Sequence, residues 1–284
     1  MRILDTGIHR IETKGDKIMK KKLLALLLVA TCTFGFAGCG SDSSLAKTSE
    51  ASDDESVLAD GVLTVGTNAA FPPFEYVGDD GTPDGFDIAL IKAIGEELGV
   101  EVEIQDMEFD SLVASIGSKI DVAIAGMTIT EERKNAVDFS DSYYDAVQFV
   151  LVPEGSDIVS YDDLKGKNIG SQLGTTGDFL SESIREEDES TTVSTYDKAV
   201  DAVNDLVNGK LDAVILDKNP AEVFDKEYDE IVALDGKNFD FENEQYAIAL
   251  PKGNEELTEK INEALQTLKD NGSYDELVKK YIEE

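Results

Sequence analysis

The sequence contains almost no histidine or cysteine. Its 284 residues include one His, His9, two Cys, Cys32 and Cys39, and no Trp. All three of these His and Cys side chains lie in the first 39 residues, so the rest of the chain has no group for a His-containing triad, a Cys nucleophile or a His/Cys zinc site. The spacing of the acidic residues matches neither a calcium loop nor a two-metal site. What remains is chemistry by a carboxylate, Lys or hydroxyl group, or no chemistry at all. We expect no metal, no cofactor and no catalytic residue.

Positive charge is also scarce. The chain has 25 basic residues against 60 acidic ones, a formal net charge of −35. Nucleic-acid binding relies on basic residues that neutralise phosphates, so we expect no nucleic-acid partner. The length allows either one large domain or two lobes, each with its own hydrophobic core.

The N-terminal part has the pattern of a secretory signal peptide. Lys20, Lys21 and Lys22 precede an apolar stretch at 23–37, which is shorter than the roughly 20 residues of a spanning helix. The run Phe36-Ala37-Gly38-Cys39 resembles the bacterial lipobox, which implies cleavage before Cys39 and lipidation of that residue. The alternative is an ordinary secreted protein with a chance Cys. We predict a signal peptide at 1–38, of which 1–18 is an upstream extension before Met19.

The segment that follows is polar. Residues 39–56 are rich in Ser, Asp, Glu and Ala, a composition typical of a disordered tether. Cleavage at Cys39 removes seven basic and three acidic residues, so the net charge falls from −35 to −39. We expect a protein outside the cytoplasmic membrane, on the surface of a bacterial cell and attached to the membrane by its lipid alone.

From residue 61 onward, strand and helix patterns alternate, which favours an α/β fold with mainly parallel sheets. The pattern predicts strands at 62–67, 120–125 and 211–216, a helix with Asp87 as N-cap, and a last helix opened by a Ser273–Glu276 capping box. The similar runs at 119–124 and 210–215 indicate two lobes of similar build. The carboxyl ends of these strands would then face one cleft.

Three segments carry residues suited to a zwitterion: 66–76, 125–133 and 174–177. The last two run into predicted helix starts, where free N–H groups attract anions. Arg133 adds a guanidinium fork for a carboxylate, and Asp217 offers a partner for an ammonium.

These segments resemble the polar amino-acid-binding family of ABC-transporter solute-binding proteins, bacterial extracellular solute-binding family 3. The resemblance rests on Gly126-Met127-Thr128-Ile129-Thr130-Glu131-Glu132-Arg133 followed by Val137-Asp138-Phe139-Ser140, and on Gly85-Phe86-Asp87-Ile88. It implies an α/β, two-lobed type II periplasmic-binding-protein fold, with a mixed, mainly parallel sheet flanked by helices in each lobe. Two hinge strands are expected near 143–147 and 242–246. Lobe 1 would comprise 57–143 plus 247–284, and lobe 2 would comprise 148–241.

The resemblance also implies the ligand-binding residues. Arg133 would bind the α-carboxylate with the N–H groups of Thr128 and Thr176, while Asp217 and Gly126 would take the α-ammonium with the Thr128 hydroxyl. Phe71 and Phe109 would sandwich the ligand side chain, and Asn68 and Gln172 would discriminate between side chains. Each residue also has an ordinary structural interpretation: a surface Arg, a helix-cap Asp, core aromatics or a turn Asn.

The function expected from this resemblance is capture of a free polar L-amino acid by a monomer and its delivery to an ABC permease and its ATPase. The neutral amides of Asn68 and Gln172 favour glutamine or another neutral polar amino acid, with a basic amino acid or cystine as alternatives. A dehydratase-like enzyme on the same fold would need a Glu or Lys in the cleft, and Glu75 is the one residue considered for that role. A sensor lobe is the third alternative.

Overall fold

The computed structural model describes residues 58–283. The predicted signal peptide, Cys39 and the tether lie outside the described residues. The helices are α1 (Phe86–Leu98), α2 (Phe109–Ser115), α3 (Glu131–Lys134), α4 (Thr176–Glu187), α5 (Ala199–Val207), α6 (Lys218–Glu227), α7 (Glu255–Asp270) and α8 (Ser273–Tyr281). The strands are β1 (Val62–Thr67), β2 (Ala70–Phe71), β3 (Glu75–Val77), β4 (Pro83–Asp84), β5 (Glu101–Asp106), β6 (Val122–Ala123), β7 (Val137–Phe139), β8 (Tyr144–Pro153), β9 (Asn168–Gln172), β10 (Thr192–Tyr196), β11 (Ala213–Asp217), β12 (Ile231–Leu234), β13 (Asn243–Tyr246) and β14 (Ala249–Pro251).

Two mixed sheets form two lobes, as the resemblance predicts. The first sheet has the order β5-β1-β6-β14-β7, with β1 parallel to β5 and β6, and β14 antiparallel to β6 and β7. The second has the order β10-β9-β11-β8-β12, with β9 parallel to β10 and β11, and β8 antiparallel to β11 and β12. We call the part built on the first sheet lobe 1 and the part built on the second lobe 2.

Strands β8 and β13 connect the two lobes. They pair antiparallel, with Asn243 opposite Val147 and Tyr246 opposite Tyr144. These are the positions at which the two hinge strands are predicted. The residue bounds of the lobes remain a prediction.

Apolar side chains cover both faces of each sheet. In lobe 1, Leu63, Ile91 and Ile261 belong to a core between the sheet, α1 and α7, while Leu112 and Met127 belong to a core on the opposite face. Lobe 2 likewise has one core around α5 and α6 and another around α4. Each lobe therefore buries a core of its own, which satisfies the main requirement for an α/β fold.

Three local predictions are wrong. Asp87 does not cap α1: the helix follows Gly85, and the N–H groups of Phe86 and Asp87 donate to the carbonyls of Pro73 and Phe74. Because these backbone groups satisfy the first turn, the Asp87 side chain turns inward and is fully buried.

The other two wrong predictions concern the strand at 120–125 and the start of the last helix. The predicted strand at 120–125 shrinks to β6, because only Val122 and Ala123 pair with neighbouring strands in regular register. Helix α8 begins after Gly272 without any side-chain cap, so the Ser273–Glu276 capping box does not form. Among residues 58–283, none of the helices combines the length and apolarity that a membrane crossing requires.

Candidate ligand-binding site

The carboxyl ends of strands from both lobes meet at one small cavity. Its volume is about 10 Å³, and it is lined by Asn68, Phe71, Glu75, Phe109, Ala125, Gly126, Thr128, Gln172, Thr175, Thr176 and Asp217. Every predicted ligand residue except Arg133 is among them. Ligand pockets of proteins combine apolar walls with a few polar groups, as this lining does. The structure therefore brings together residues that lie up to about 150 positions apart in the sequence. They meet beyond the carboxyl ends of strands, which is where ligands bind in open α/β sheets.

Arg133 lies at the edge of this cavity and contacts both lobes. Its Nη1 donates to the Thr128 carbonyl at 2.6 Å, and its Nη2 donates to the Gly174 carbonyl of lobe 2 at 3.0 Å. The guanidinium is buried and lies 5.3 Å from the centre of the Phe109 ring. Burial lowers the pKa of Arg133 to about 10, so it remains a cation at neutral pH. Among the described residues it forms no salt bridge with a carboxylate.

Asp217 supplies a buried negative group on the lobe 2 side. It ends β11, and its Oδ1 accepts a 2.6 Å hydrogen bond from the hydroxyl of Tyr246. It occupies the N-cap position of α6 without capping that helix. Burial, followed by the negative charge of Glu244, raises the pKa of Asp217 to about 7. A cation beside Asp217 would remove much of this cost of burying a charge.

Phe71 and Phe109 line the apolar part of the cavity, and Gly126 fits closely against the first of them. Gly126 has φ +52°, and a Cβ added there would lie 2.9 Å from the Phe71 ring. Its N–H donates to the Asp87 carboxylate at 2.7 Å. Position 126 therefore requires glycine, because a side chain there would strain the backbone at this φ and would collide with the Phe71 ring.

Asn68 and Gln172, the predicted discriminators, hydrogen-bond to each other across the cavity. Gln172 Nε2 donates to Asn68 Oδ1 at 2.9 Å and to the Asp197 carbonyl at 2.9 Å, while Asn68 Nδ2 donates to the Met107 carbonyl at 2.9 Å. The Gln172 amide hydrogens are therefore both engaged. Its Oε1 remains an acceptor toward a ligand.

Glu75 is a site residue that the sequence reasoning did not assign to ligand binding. It lines the cavity beside Phe71 and is fully buried, and neither of its carboxyl oxygens has a hydrogen-bond partner among the described residues. Burial first, and the neighbouring Asp87 second, raise the pKa of Glu75 well above its ordinary value. Burial likewise raises the pKa of Asp87 to about 6. Its place four residues after Phe71, at the start of β3, was the only sequence indication.

Glu244 was missed entirely. It comes from β13, and its Oε2 accepts hydrogen bonds from the hydroxyls of Thr128 and Thr176. These partners lie 116 and 68 positions away in the sequence. No local pattern around Glu244 indicates such a contact.

Comparison with known proteins decides the family. The profile of "Bacterial extracellular solute-binding proteins, family 3" matches residues 63–284. The chain belongs to this family. Membership confirms the resemblance drawn from the sequence and agrees with a location outside the cytoplasm.

Individual members of family 3 are similar along nearly their whole length. The arginine-binding extracellular protein ArtP of Bacillus subtilis is 36% identical over 92% of this chain and 98% of its own length. The ABC transporter glutamine-binding protein GlnH of Bacillus subtilis is 34% identical over 93% of this chain and 98% of its own. Among solved structures, an ancestral arginine-binding protein bound to arginine is 42% identical with a TM-score of 0.74, covering 78% of this chain and 98% of that one. The solved structure therefore shares its fold with this chain.

Proposed function

We propose that this protein captures a free polar α-amino acid in the cavity between its lobes and delivers it, without chemical change, to an ABC permease and its ATPase. The observation that carries the proposal is Arg133, a buried cation that contacts both lobes and forms no salt bridge among the described residues. A buried charge is costly unless it is paired, and an α-carboxylate is a planar partner for the guanidinium fork. The carboxyl group of Asp217 is the proposed partner of the ligand's α-ammonium.

Arginine is the ligand that the cavity favours most. The groups free to meet its side chain are the Gln172 Oε1 and the Glu75 carboxyl, both of which accept hydrogen bonds. A guanidinium carries five N–H donors and no acceptor. It would also lie between the Phe71 and Phe109 rings, where cation–π attraction is worth about 0.5–2 kcal/mol. The similarity to proteins named as arginine-binding supports this choice.

Glutamine is the second candidate, and it is the ligand expected from the sequence. Asn68 and Gln172 are neutral amides, and the raised pKa of Glu75 favours its protonated form, which would donate to an amide carbonyl. GlnH, named as glutamine-binding, is nearly as similar to this chain as ArtP. The difference between the two ligands therefore depends on whether Glu75 gives up its proton.

A thermal-shift panel of the twenty amino acids on the purified protein tests the proposal. A ligand at 100 times its Kd stabilises the folded state by about 2.7 kcal/mol, which raises the melting temperature measurably. We expect the largest shift with arginine and the next with glutamine. Glu75→Gln should abolish the preference for arginine while leaving the shift with glutamine. If none of the amino acids shifts the transition, the proposed function is wrong.

We also propose that the protein is a monomeric lipoprotein held outside the cell membrane by Cys39. The lipobox-like run at 36–39 supports this. Cys39→Ala should release the protein into the medium or leave an uncleaved precursor, which cell fractionation and the mass of the product distinguish. A processed variant retained fully in the membrane fraction would contradict lipidation at Cys39.

A further inference from the structure

Glu244 joins one hydroxyl from each lobe at a single carboxylate oxygen. Its Oε2 accepts from the Thr128 hydroxyl at 2.6 Å and from the Thr176 hydroxyl at 2.9 Å, and also from the Gln148 amide Nε2 at 3.4 Å. Thr128 follows β6 of lobe 1, whereas Thr176 opens α4 of lobe 2. Glu244 itself lies on the crossover strand β13, opposite Ala146 of β8. It therefore reaches the cavity from the connection between the lobes.

This arrangement determines what the two hydroxyls can do. A hydroxyl has a single hydrogen, and both hydrogens are donated to Glu244, which as a carboxylate can only accept. The oxygens of Thr128 and Thr176 are left as acceptors. The Thr176 hydroxyl oxygen already accepts from Gln148 Nε2 at 3.0 Å, whereas in the described region no hydrogen bond ends on the Thr128 hydroxyl oxygen Oγ1. The Thr128 oxygen is thus available to a donor in the cavity that it lines.

A zwitterionic amino acid has hydrogen-bond donors only at its α-ammonium end, apart from its side chain. The α-ammonium donates three hydrogens, while the α-carboxylate only accepts. With Glu244 in place, neither hydroxyl can serve the carboxylate, which is left to Arg133 and backbone N–H groups.

We propose that Glu244 is a positioning residue that fixes the orientation of the amino acid, by taking both hydroxyl hydrogens and so committing Thr128 to accept from the α-ammonium. The inference rests on the proposed function. It adds that the preference for an α-ammonium depends on a residue of the crossover strand, outside the cavity lining.

Calorimetric titrations with three related ligands test it. They are arginine, 5-guanidinopentanoate, which lacks the α-ammonium, and agmatine, which lacks the α-carboxylate. If glutamine binds more tightly, then glutamine, glutaramate and 4-aminobutanamide replace them. In the native protein, loss of the α-ammonium should weaken binding at least about 30-fold, as expected when a buried charge pair loses one partner.

Glu244→Met keeps the length of the side chain and removes the acceptor. Once the hydroxyls are free to turn, the penalty for losing the α-ammonium should shrink at least about fivefold. The penalty for losing the α-carboxylate should not shrink. Glu244→Gln retains a carbonyl that can accept both hydroxyls, so its ammonium penalty should stay within about threefold of the native value. Glu242→Met, at an exposed position on the same segment, is the matched control and should leave both penalties unchanged.

The outcomes separate the two proposals. Parallel weakening of all three ligands in Glu244→Met, or an unchanged ammonium penalty, would show a merely structural role and overturn the inference while the proposed function stands. Binding of no amino acid by the native protein would overturn both. If Glu244→Met fails to fold, Glu244→Ala, which removes the acceptor without adding an apolar chain, provides the same comparison.

Discussion

At the scale of single residues, the site is a buried cluster in which acids outnumber bases. Arg133 is the cation, and Asp217, Glu75 and Asp87 are buried carboxyls with raised pKa values. A ligand ammonium stabilises the ionised form of Asp217, so binding is linked to proton release whenever Asp217 starts protonated.

The affinity should therefore depend on pH. With the pKa of Asp217 at about 7, the protonated fraction grows as the pH falls, and the apparent affinity should drop about tenfold between pH 8 and pH 6. The affinity for arginine should depend on pH more steeply than the affinity for glutamine, because Glu75 must also ionise to bind arginine. Titration calorimetry in buffers of different ionisation enthalpy measures both the affinity and the protons released. A flat affinity with no proton release would contradict the role of Asp217.

The sequence motifs predicted part of the cavity lining better than the contacts that surround it. Gly126, Thr128, Arg133 and Asp217 lie in recognisable local motifs, and the structure gathers them at one cavity. Glu75 and Glu244 acquire their positions from tertiary contacts, with Asp87 and with two threonines far along the chain. The mutual hydrogen bond of Asn68 and Gln172, 104 positions apart, was equally invisible in the sequence.

At the scale of elements, periodicity predicted the helices and most strands, while their ends followed tertiary contacts. The start of α1 shows why. A helix N-terminus can be satisfied by any acceptor, and here the loop carbonyls of Pro73 and Phe74 take the place of the Asp87 side chain. That arrangement depends on Gly85, whose φ is +125° and whose added Cβ would lie 2.2 Å from the Phe74 carbonyl oxygen.

Gly85→Ala should consequently be strongly destabilising. The backbone conformation and the clash together should cost at least about 3 kcal/mol in the free energy of unfolding. Gly81→Ala is the matched control, because Gly81 also has a positive φ, +82°, but nothing lies within 4 Å of the added Cβ. Its cost should be about 1–2 kcal/mol. Urea unfolding measures both, and equal losses in the two variants would show that the close contact at Gly85 is unimportant.

At the scale of the whole molecule, the two lobes meet across acidic groups that resist ionisation. In the unfolded chain, Glu75, Asp87 and Asp217 ionise near pH 4, whereas in the folded protein they ionise at higher pH. Between these values the folded state binds more protons than the unfolded state. Stability without ligand should therefore fall as the pH rises from about 5 to about 7.5.

The expected loss between pH 5.5 and 7.5 is on the order of 2–5 kcal/mol. Surface carboxylates such as Asp80 and Asp138 have lowered pKa values and are already ionised at pH 5.5, so they do not offset it. Urea midpoints of the ligand-free protein at the two pH values measure the change, and Glu75→Gln should reduce it. A midpoint that is higher at pH 7.5 would contradict the buried acidic cluster.

Arg133 and Asp217 are the two groups between which we propose that the lobes hold a zwitterion. Calorimetric titration of the native protein, Arg133→Ala and Asp217→Ala with arginine and with glutamine tests this proposal most directly, with Arg185→Ala as an exposed control paired to Glu182 on the surface. Losing one partner of a buried charge pair costs about 2–5 kcal/mol. We predict at least tenfold weaker binding in both site variants, with circular dichroism unchanged, and native affinity in the control. Native affinity in both Arg133→Ala and Asp217→Ala would contradict the account.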